Sequence, residues 1–428
     1  MSTSHPVSPV TVPLSALGRR ARLPAVAGLM KAALENPRLL SLAAGFTDNA
    51  TLPVAEFTAA AQALAARQGE PEFLQYGNPQ GRPELRRLLA QRLRFWEPTL
   101  PEEGMEARFM VTNGSQQALY LAVQTLCDPG DLVLVDRPSY FAFIDVVAAL
   151  GARTRSLPFD ESGRLQVDRL DALLRELKAT GEAARLKAVY LVSYFSNPSG
   201  RCLAEEDKIA LARTLEAHGL VVPVLEDVAY RELFYETPHP ARSVLGLEAW
   251  AAFPRLYLAT LTKPFSTGAK VGYAYCTDPA WLAQMLATKG THDFGTANYA
   301  QALFEEVIRG GGFETHLPRV RRGYLGKMRA LHGALVAGGL RELGWTWEEP
   351  RGGMYLWLRA PAHIDTVMDG EFFRACVQEG VLYVPGDMCF ADAPERNWIR
   401  ASYGVLTPDQ LGEAGRRLVN VARRFARA

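Results

Sequence analysis

Between Ala107 and Leu286, short apolar runs alternate with stretches in which apolar residues recur at helical spacing. The runs Arg108–Thr112, Leu132–Asp136, Thr154–Pro158, Lys187–Ser193, Val221–Glu226, Arg255–Leu261 and Val271–Cys276 read as strands. The stretches Ser115–Leu126, Tyr140–Leu150, Val167–Ala179 and Glu205–His218 fall between them and read as helices. Apolar strands separated by helices predict a mostly parallel sheet covered on both faces.

After Asn298 the pattern changes. Long helical patterns at Tyr299–Arg309 and Glu314–Ala337 lead into short strands at Thr346–Glu349 and Met354–Arg359. A helix near Glu371–Gln378, strands at Val381–Val384 and Trp398–Ala401, and a helix from Pro408 follow. Before Ala107, helices are expected near Ala25–Glu35, Val54–Arg67 and Glu84–Trp96. The fold class is therefore α/β, a large domain with a mostly parallel seven-stranded sheet, plus a smaller α+β domain. The expected units are an N-terminal segment, partly flexible, at 1–40, the large domain at 41–310 and the small one at 311–428.

Composition narrows the function. The chain has 428 residues, enough for one large domain and a smaller one. Its net charge of +1 offers no electrostatic case for nucleic acid or an anionic membrane. No apolar run reaches the roughly 18 residues of a membrane span, and the polar, Pro-rich stretch Met1–Thr11 lacks the apolar core of a signal peptide. Cys127, Cys202, Cys276, Cys376 and Cys389 are scattered and form no C-x-x-C, which argues against disulfides and zinc. Cys127 and Cys276 lie in apolar stretches and are expected to be buried. The histidines show no metal spacing, so no metal is expected, and a reducing cytoplasm is the simplest compartment.

In open parallel sheets, ligands collect beyond the carboxyl ends of the strands. Five unusual stretches sit there. Thr112-Asn113-Gly114-Ser115-Gln116-Gln117 joins a strand to a helix and leaves backbone N–H groups free to cradle a phosphate. A plain N-cap at Ser115 is the commoner reading of such a stretch. Asp136-Arg137-Pro138-Ser139-Tyr140 offers Tyr140 either as a flat ring in the crevice or as a core residue. Ser196-Asn197-Pro198-Ser199-Gly200 is a turn by its own chemistry, unless Asn197 points into the same crevice. Glu226-Asp227 ends a buried strand, with Tyr230 close behind. A carboxylate there either meets a cation or caps the next turn.

The fifth stretch, Thr260-Leu261-Thr262-Lys263-Pro264-Phe265-Ser266-Thr267-Gly268-Ala269-Lys270, has two lysines in a loop of small residues. Two solvated lysines would account for it. A desolvated lysine would instead be nucleophilic toward carbonyls. Taken together, the five stretches place a phosphate cradle, a flat aromatic, an amide, an acid–tyrosine pair and a nucleophilic lysine on successive strand ends. A phosphorylated aromatic aldehyde whose ring nitrogen needs an acid partner would use them all. Pyridoxal 5'-phosphate, held as a lysine Schiff base, fits that description.

With these residues in order, the sequence resembles the fold-type I aminotransferases of class I/II, closest to the kynurenine/2-aminoadipate group. The resemblance runs from about Leu40 to the C-terminus. It also rests on S-L-A-A-G-F (Ser41–Phe46), L-Q-Y-G-N-P-Q-G (Leu74–Gly81), G-G-M-Y-L-W (Gly352–Trp357) and I-R-A-S-Y (Ile399–Tyr403). It implies that Lys263 carries the cofactor and moves the substrate Cα proton. It implies that Asp227 pairs with the ring nitrogen, Tyr230 and Asn197 bond the phenolate oxygen, and Tyr140 stacks on the ring. On the same resemblance, Ser115, Gln116 and Thr260 should hold the phosphate, with Thr262 and Lys270 beside them. Tyr76 reaches that phosphate from a neighbouring subunit, which implies a homodimer with shared sites. Arg400 clamps the substrate α-carboxylate, helped by the backbone near Gly45 and by Asn197. The implied reaction moves an amino group between an L-amino acid and a 2-oxo acid by a ping-pong mechanism.

The sequence departs from the family at Lys270, where arginine is usual, and at Pro264, which stiffens the loop and biases Lys263 away from the α region. Thr262 replaces a usual serine. These changes leave room for a lyase, an oxidase or a biosynthetic step on the same fold. A ligand-sensing regulator would need a winged helix, for which the residues before Leu40 give no room. The basic segment Arg19, Arg20 and Arg22 either contacts a distal acid group of the substrate or, more simply, is a solvated helix start; in relatives this N-terminal segment closes over the substrate. Phe46, Tyr140 and Tyr355 could equally line a pocket for apolar side chains.

Overall fold

The structure is a computed structural model that describes residues 12–23, 28–29, 31, 35–36, 38–67 and 71–426. The Met1–Thr11 lead-in lies outside the described residues, as does much of the expected helix Ala25–Glu35.

Seven strands form the central sheet: β2 (Phe109–Asn113), β3 (Leu132–Val135), β4 (Arg153–Ser156), β5 (Leu186–Val192), β6 (Val224–Asp227), β7 (Arg255–Thr260) and β8 (Val271–Cys276). Their order is β2-β8-β7-β6-β5-β3-β4. Only β8 runs antiparallel to its neighbours β2 and β7. Residues 261–270 alone join β7 to β8, too few for the crossover that parallel strands need. That hairpin loop is the one with the two lysines.

Both sheet faces are covered, as the apolar runs require. Val133, Val135, Ala188, Tyr190 and Val192 pack with Leu119, Phe143 and Trp281 on one face. Leu132, Leu134, Val189 and Leu191 pack with Leu170, Leu174, Leu211 and Trp250 on the other. The alternation is the period of two of a strand. The helices Val167–Ala179 and Glu205–Ala217 supply the second group.

Beyond the sheet, the helices Gly312–Ala337 and Pro408–Phe425 pack on each other beside an antiparallel trio, β9 (Tyr355–Arg359), β11 (Val384–Pro385) and β12 (Trp398–Ser402), while Asn298–Arg309 packs against the helices Val54–Ala65 and Pro83–Trp96. β1 (Leu40–Ser41) pairs with β10 (Val381–Leu382). The expected strand Val381–Val384 thus divides at Tyr383, and its halves join different sheets; the Tyr383 hydroxyl donates to Thr366 O at 2.9 Å. Thr346–Glu349 makes only a single bridge, Thr346 to Arg359. β6 starts at Val224 because Pro223 has no N–H for the ladder.

The helix Pro279–Asp293 was not expected from the pattern. Its signal is local: the Asp278 side chain accepts from Trp281 N, and Pro279 opens the first turn. Cys276 is buried, whereas Cys127 is half-buried. All five thiols are unpaired. Among the described residues no helix is long and apolar enough to cross a membrane, and no cluster of His, Cys, Asp or Glu could hold a metal.

Candidate active site

One cleft, about 650 Å³ counted out to its mouth, opens at the carboxyl ends of these strands. It brings together Ser115, Gln116, Tyr140, Asn197, Asp227, Tyr230, Thr260, Thr262, Lys263 and Lys270, with Asn113 and Gly114 between them. Stretches separated by up to about 150 positions in the chain therefore face one space, which the plain-turn and surface-lysine readings do not require.

The rim is the N-terminus of the helix Gly114–Leu126. Gly114 takes φ +67°, and Gly272 on β8 lies directly beneath it. A Cβ at Gly272 would fall 2.4 Å from the Gly114 carbonyl carbon and 2.6 Å from Ser115 N. Only glycine at 272 lets this turn seat on the sheet with its N–H groups turned outward. Asp293 braces the turn from behind. It accepts from Asn113 Nδ2 at 3.1 Å and Gln117 Nε2 at 2.6 Å, and pairs with the buried Lys289 at 2.8 Å.

Thr260 and Thr262 have different situations. The Thr260 hydroxyl donates to Val271 O at 3.3 Å and accepts from Thr262 N at 3.0 Å, so it shapes the loop. Thr262 Oγ1 is buried without a partner and borders the cleft, where a ligand oxygen would satisfy it. Lys270 reaches the same end from a backbone with φ +53°.

At the floor, Asp227 is buried and its hydrogen-bond partners are neutral: Tyr190 donates at 3.0 Å and Ala229 N at 3.0 Å. Burial pushes its carboxyl up to about 6. Asp136, just past β3 and one strand beyond β5, is pushed up to about 7, again chiefly by burial, with Asp227 adding to the effect. It accepts from Ser139 Oγ at 2.5 Å and Val192 N at 3.1 Å, which holds the turn that presents Tyr140.

Glu226, one residue before Asp227, points the other way into the core. It accepts from Ser193 Oγ at 2.6 Å and from Val244 N at 3.1 Å, and it faces Lys208 Nζ at 3.7 Å with both side chains wholly buried. Arg231, just past Tyr230, pairs with buried Glu97 at 2.6 Å. The segment that carries Asp227 and Tyr230 is thus pinned at both ends by paired buried charges.

On the opposite wall, Lys263 Nζ donates to Gly45 O at 2.8 Å. The Tyr230 and Tyr355 hydroxyls lie 3.1 Å apart. Arg400 is only 2% exposed, yet its partners are neutral: Nη1 donates to Asn197 Oδ1 at 2.9 Å and Nη2 to Ala43 O at 2.7 Å. Its Nε is buried without a partner. A buried cation so placed awaits an anion.

The family model for aminotransferases of class I and II matches residues 37–418. The chain belongs to the class I and II aminotransferases. It is 33% identical over 386 residues to a 2-aminoadipate transaminase of Thermus thermophilus, covering 90% of each chain. It superposes on the kynurenine aminotransferase of Pyrococcus horikoshii with a TM-score of 0.85 at 28% identity, covering 97% of this chain and 98% of that one. An alpha-aminoadipate aminotransferase from Thermus thermophilus, solved with N-(5'-phosphopyridoxyl)-L-leucine, gives a TM-score of 0.80 at 29% identity, covering 96% and 97%.

The aminotransferase is a pyridoxal-phosphate-dependent transaminase, and its cleft fits that cofactor on its own chemistry. An uncompensated buried carboxylate at the floor matches a protonated ring nitrogen. A helix N-terminus with an unpartnered Thr262 hydroxyl and Lys270 beside it matches a phosphate. Lys263 lines the same cleft.

Two groups of expected residues fall elsewhere in the aminotransferase. Tyr76 is 92% exposed and does not line this chain's own cleft. The Arg20 guanidinium lies over Gly151, at the far end of the helix Phe141–Ala149, and Arg19 donates to Leu14 O; neither borders the cleft. Tyr190, Asp293 and the Tyr355 hydroxyl were missed in the sequence. They act through partners distant in the chain and carry no local signature.

Proposed function

We propose that Lys263, Asp227 and Tyr230 are the catalytic residues of this transaminase. Ser115, Gln116, Tyr140, Asn197, Thr260, Thr262 and Lys270 hold its cofactor, and Arg400, Asn197 and Gly45 hold its substrate. When bound, the cofactor supplies a carbonyl that takes the amino group and a ring that accepts charge from the substrate Cα. Lys263 moves the proton at that carbon. Asp227 keeps the ring nitrogen protonated, and Tyr140 covers the ring face. Arg400 orients the amino acid by a two-pronged contact with its α-carboxylate. Its bond to Asn197 Oδ1 leaves the Asn197 amide N–H groups for the cofactor oxygen.

In this reading, residues 41–310 form the cofactor-binding domain and 311–428 the small α+β domain that supplies Arg400 to the substrate. The exposure of Tyr76 supports a homodimer in which it reaches the phosphate of the partner copy. The substrates are an L-amino acid and a 2-oxo acid, and the compartment is the cytoplasm. Relatives named for 2-aminoadipate and kynurenine support a long or aromatic side chain.

The observation that carries the assignment is the convergence of Lys263 and buried Asp227 on a cleft rimmed by a helix N-terminus. The test is optical. The visible band of the purified enzyme should vanish on adding the right amino acid and return with a 2-oxo acid. Lys263→Ala should abolish turnover. Return only with oxygen, or release of ammonia, would assign the fold to oxidase or lyase chemistry instead.

A further inference from the structure

Tyr355 is buried at 1% exposure on β9, and its register partner on β12 is Ser402, two positions from Arg400. Its ring lies under the Arg400 guanidinium, 4.5 Å from centroid to Cζ, and edge-on to Tyr230 at 5.8 Å. Its hydroxyl stands against Gly45, where a Cβ would meet it at 3.1 Å. Among the described residues that hydroxyl has one hydrogen-bond partner, Tyr230 Oη, at 3.1 Å.

Two hydroxyls share two hydrogens and one mutual bond, so one hydrogen is left over. If Tyr230 donated to Tyr355, the spare hydrogen would belong to Tyr355. It would then find no acceptor among the described residues, since the hydroxyl stands against Gly45 and has no hydrogen-bond partner other than Tyr230. If Tyr355 donates to Tyr230, the spare hydrogen belongs to Tyr230, which lines the cleft. The second arrangement wastes no donor in the core, and unsatisfied buried donors are strongly disfavoured.

We infer that Tyr355 is a positioning residue: by donating to Tyr230 it fixes the Tyr230 O–H as a donor into the cleft and strengthens it. Chained hydrogen bonds polarise one another, so the second bond makes the first a better donor. The inference rests on the proposed role of Tyr230 as donor to the cofactor phenolate oxygen. A donor at that oxygen favours the state in which the oxygen no longer shares the proton on the lysine-linked nitrogen. It therefore lowers the pH at which that proton leaves.

The experiment is a pH titration of the visible absorbance of the lysine-bound cofactor in the holoenzyme. Tyr355→Phe keeps the ring and removes the bond, and should raise the midpoint by roughly 0.3–0.7 pH unit. Tyr230→Phe should raise it by about one unit or more. The double variant should match Tyr230→Phe alone, because Tyr355 acts only through Tyr230. If Tyr230→Phe leaves the midpoint unmoved, the Tyr230 reading fails. If Tyr230→Phe shifts it and Tyr355→Phe does not, or if the two shifts add, the role given to Tyr355 is overturned. Should Phe at 355 prevent cofactor loading, Tyr355→Leu, which also lacks the hydroxyl, is read in the same way.

Discussion

Arg400 Nη1 donates to Asn197 Oδ1 at 2.9 Å, joining β12 to the turn after β5. One contact therefore does two things. It helps hold the guanidinium over the Tyr355 and Phe141 rings, and it fixes which end of the Asn197 amide is left for the cofactor in the proposed reading. The two residues are coupled, and removing either should disturb the other's task.

Arg400→Lys should raise KM for the amino acid about 10–100-fold, because a point charge replaces a fork and a charge-assisted bond is worth roughly 1.5–3 kcal/mol. Asn197→Ala should raise KM less and also shift the absorbance of the bound cofactor. The double variant should lose less than the sum of the two. Steady-state kinetics of the four proteins decides it, and strict additivity would show that the contact has no function.

Asp227 ties stability to pH in the cofactor-free chain. Its carboxyl holds a proton up to about pH 6 in the fold but loses it near 3.8 when unfolded. Between those values the native state carries the extra proton, so stability falls as pH rises and stays low above pH 6. The difference corresponds to about 3 kcal/mol. Asp227→Asn removes this penalty while keeping an acceptor for Ala229 N. The apo variant should melt a few degrees above the apo parent at pH 8, with the gap closing toward pH 4. The same variant should hold the cofactor poorly, an exchange of function for stability. Equal melting temperatures at pH 8 would refute the argument.

What the sequence disclosed, and what it hid, follows from the range of each interaction. The apolar runs of β3, β5 and β7 could be read because a strand covered on both faces must be apolar throughout. That Lys263 and Asp227 reach the cleft could be read because each places an ionic group at or just past the end of such a strand. The distinct situations of Thr260 and Thr262 could not, since which hydroxyl stays free depends on how the loop bonds to Val271. The Tyr230–Tyr355 pair was hidden because it joins the turn after β6 to β9, 125 positions apart. The placement of Arg20 over Gly151 answers to packing at the end of a helix that the basic pattern does not encode.

Lys270 stands where the family usually has arginine, and its backbone lies in the left-handed region at φ +53°. Lysine and arginine bear that conformation at equal cost, so Lys270→Arg isolates the side chain. Arginine offers a fork to the phosphate in place of a point charge. Lys270→Arg should therefore tighten cofactor retention by up to about tenfold, and Lys270→Ala should weaken it by about 10–100-fold. Lys270→Gly relieves the backbone but also removes the charge, so it should retain cofactor as poorly as Lys270→Ala. Equilibrium dialysis of the four chains against pyridoxal 5'-phosphate measures all of these. If Lys270→Gly bound as tightly as the parent, the backbone turn alone would hold the phosphate and the lysine would have no part in it.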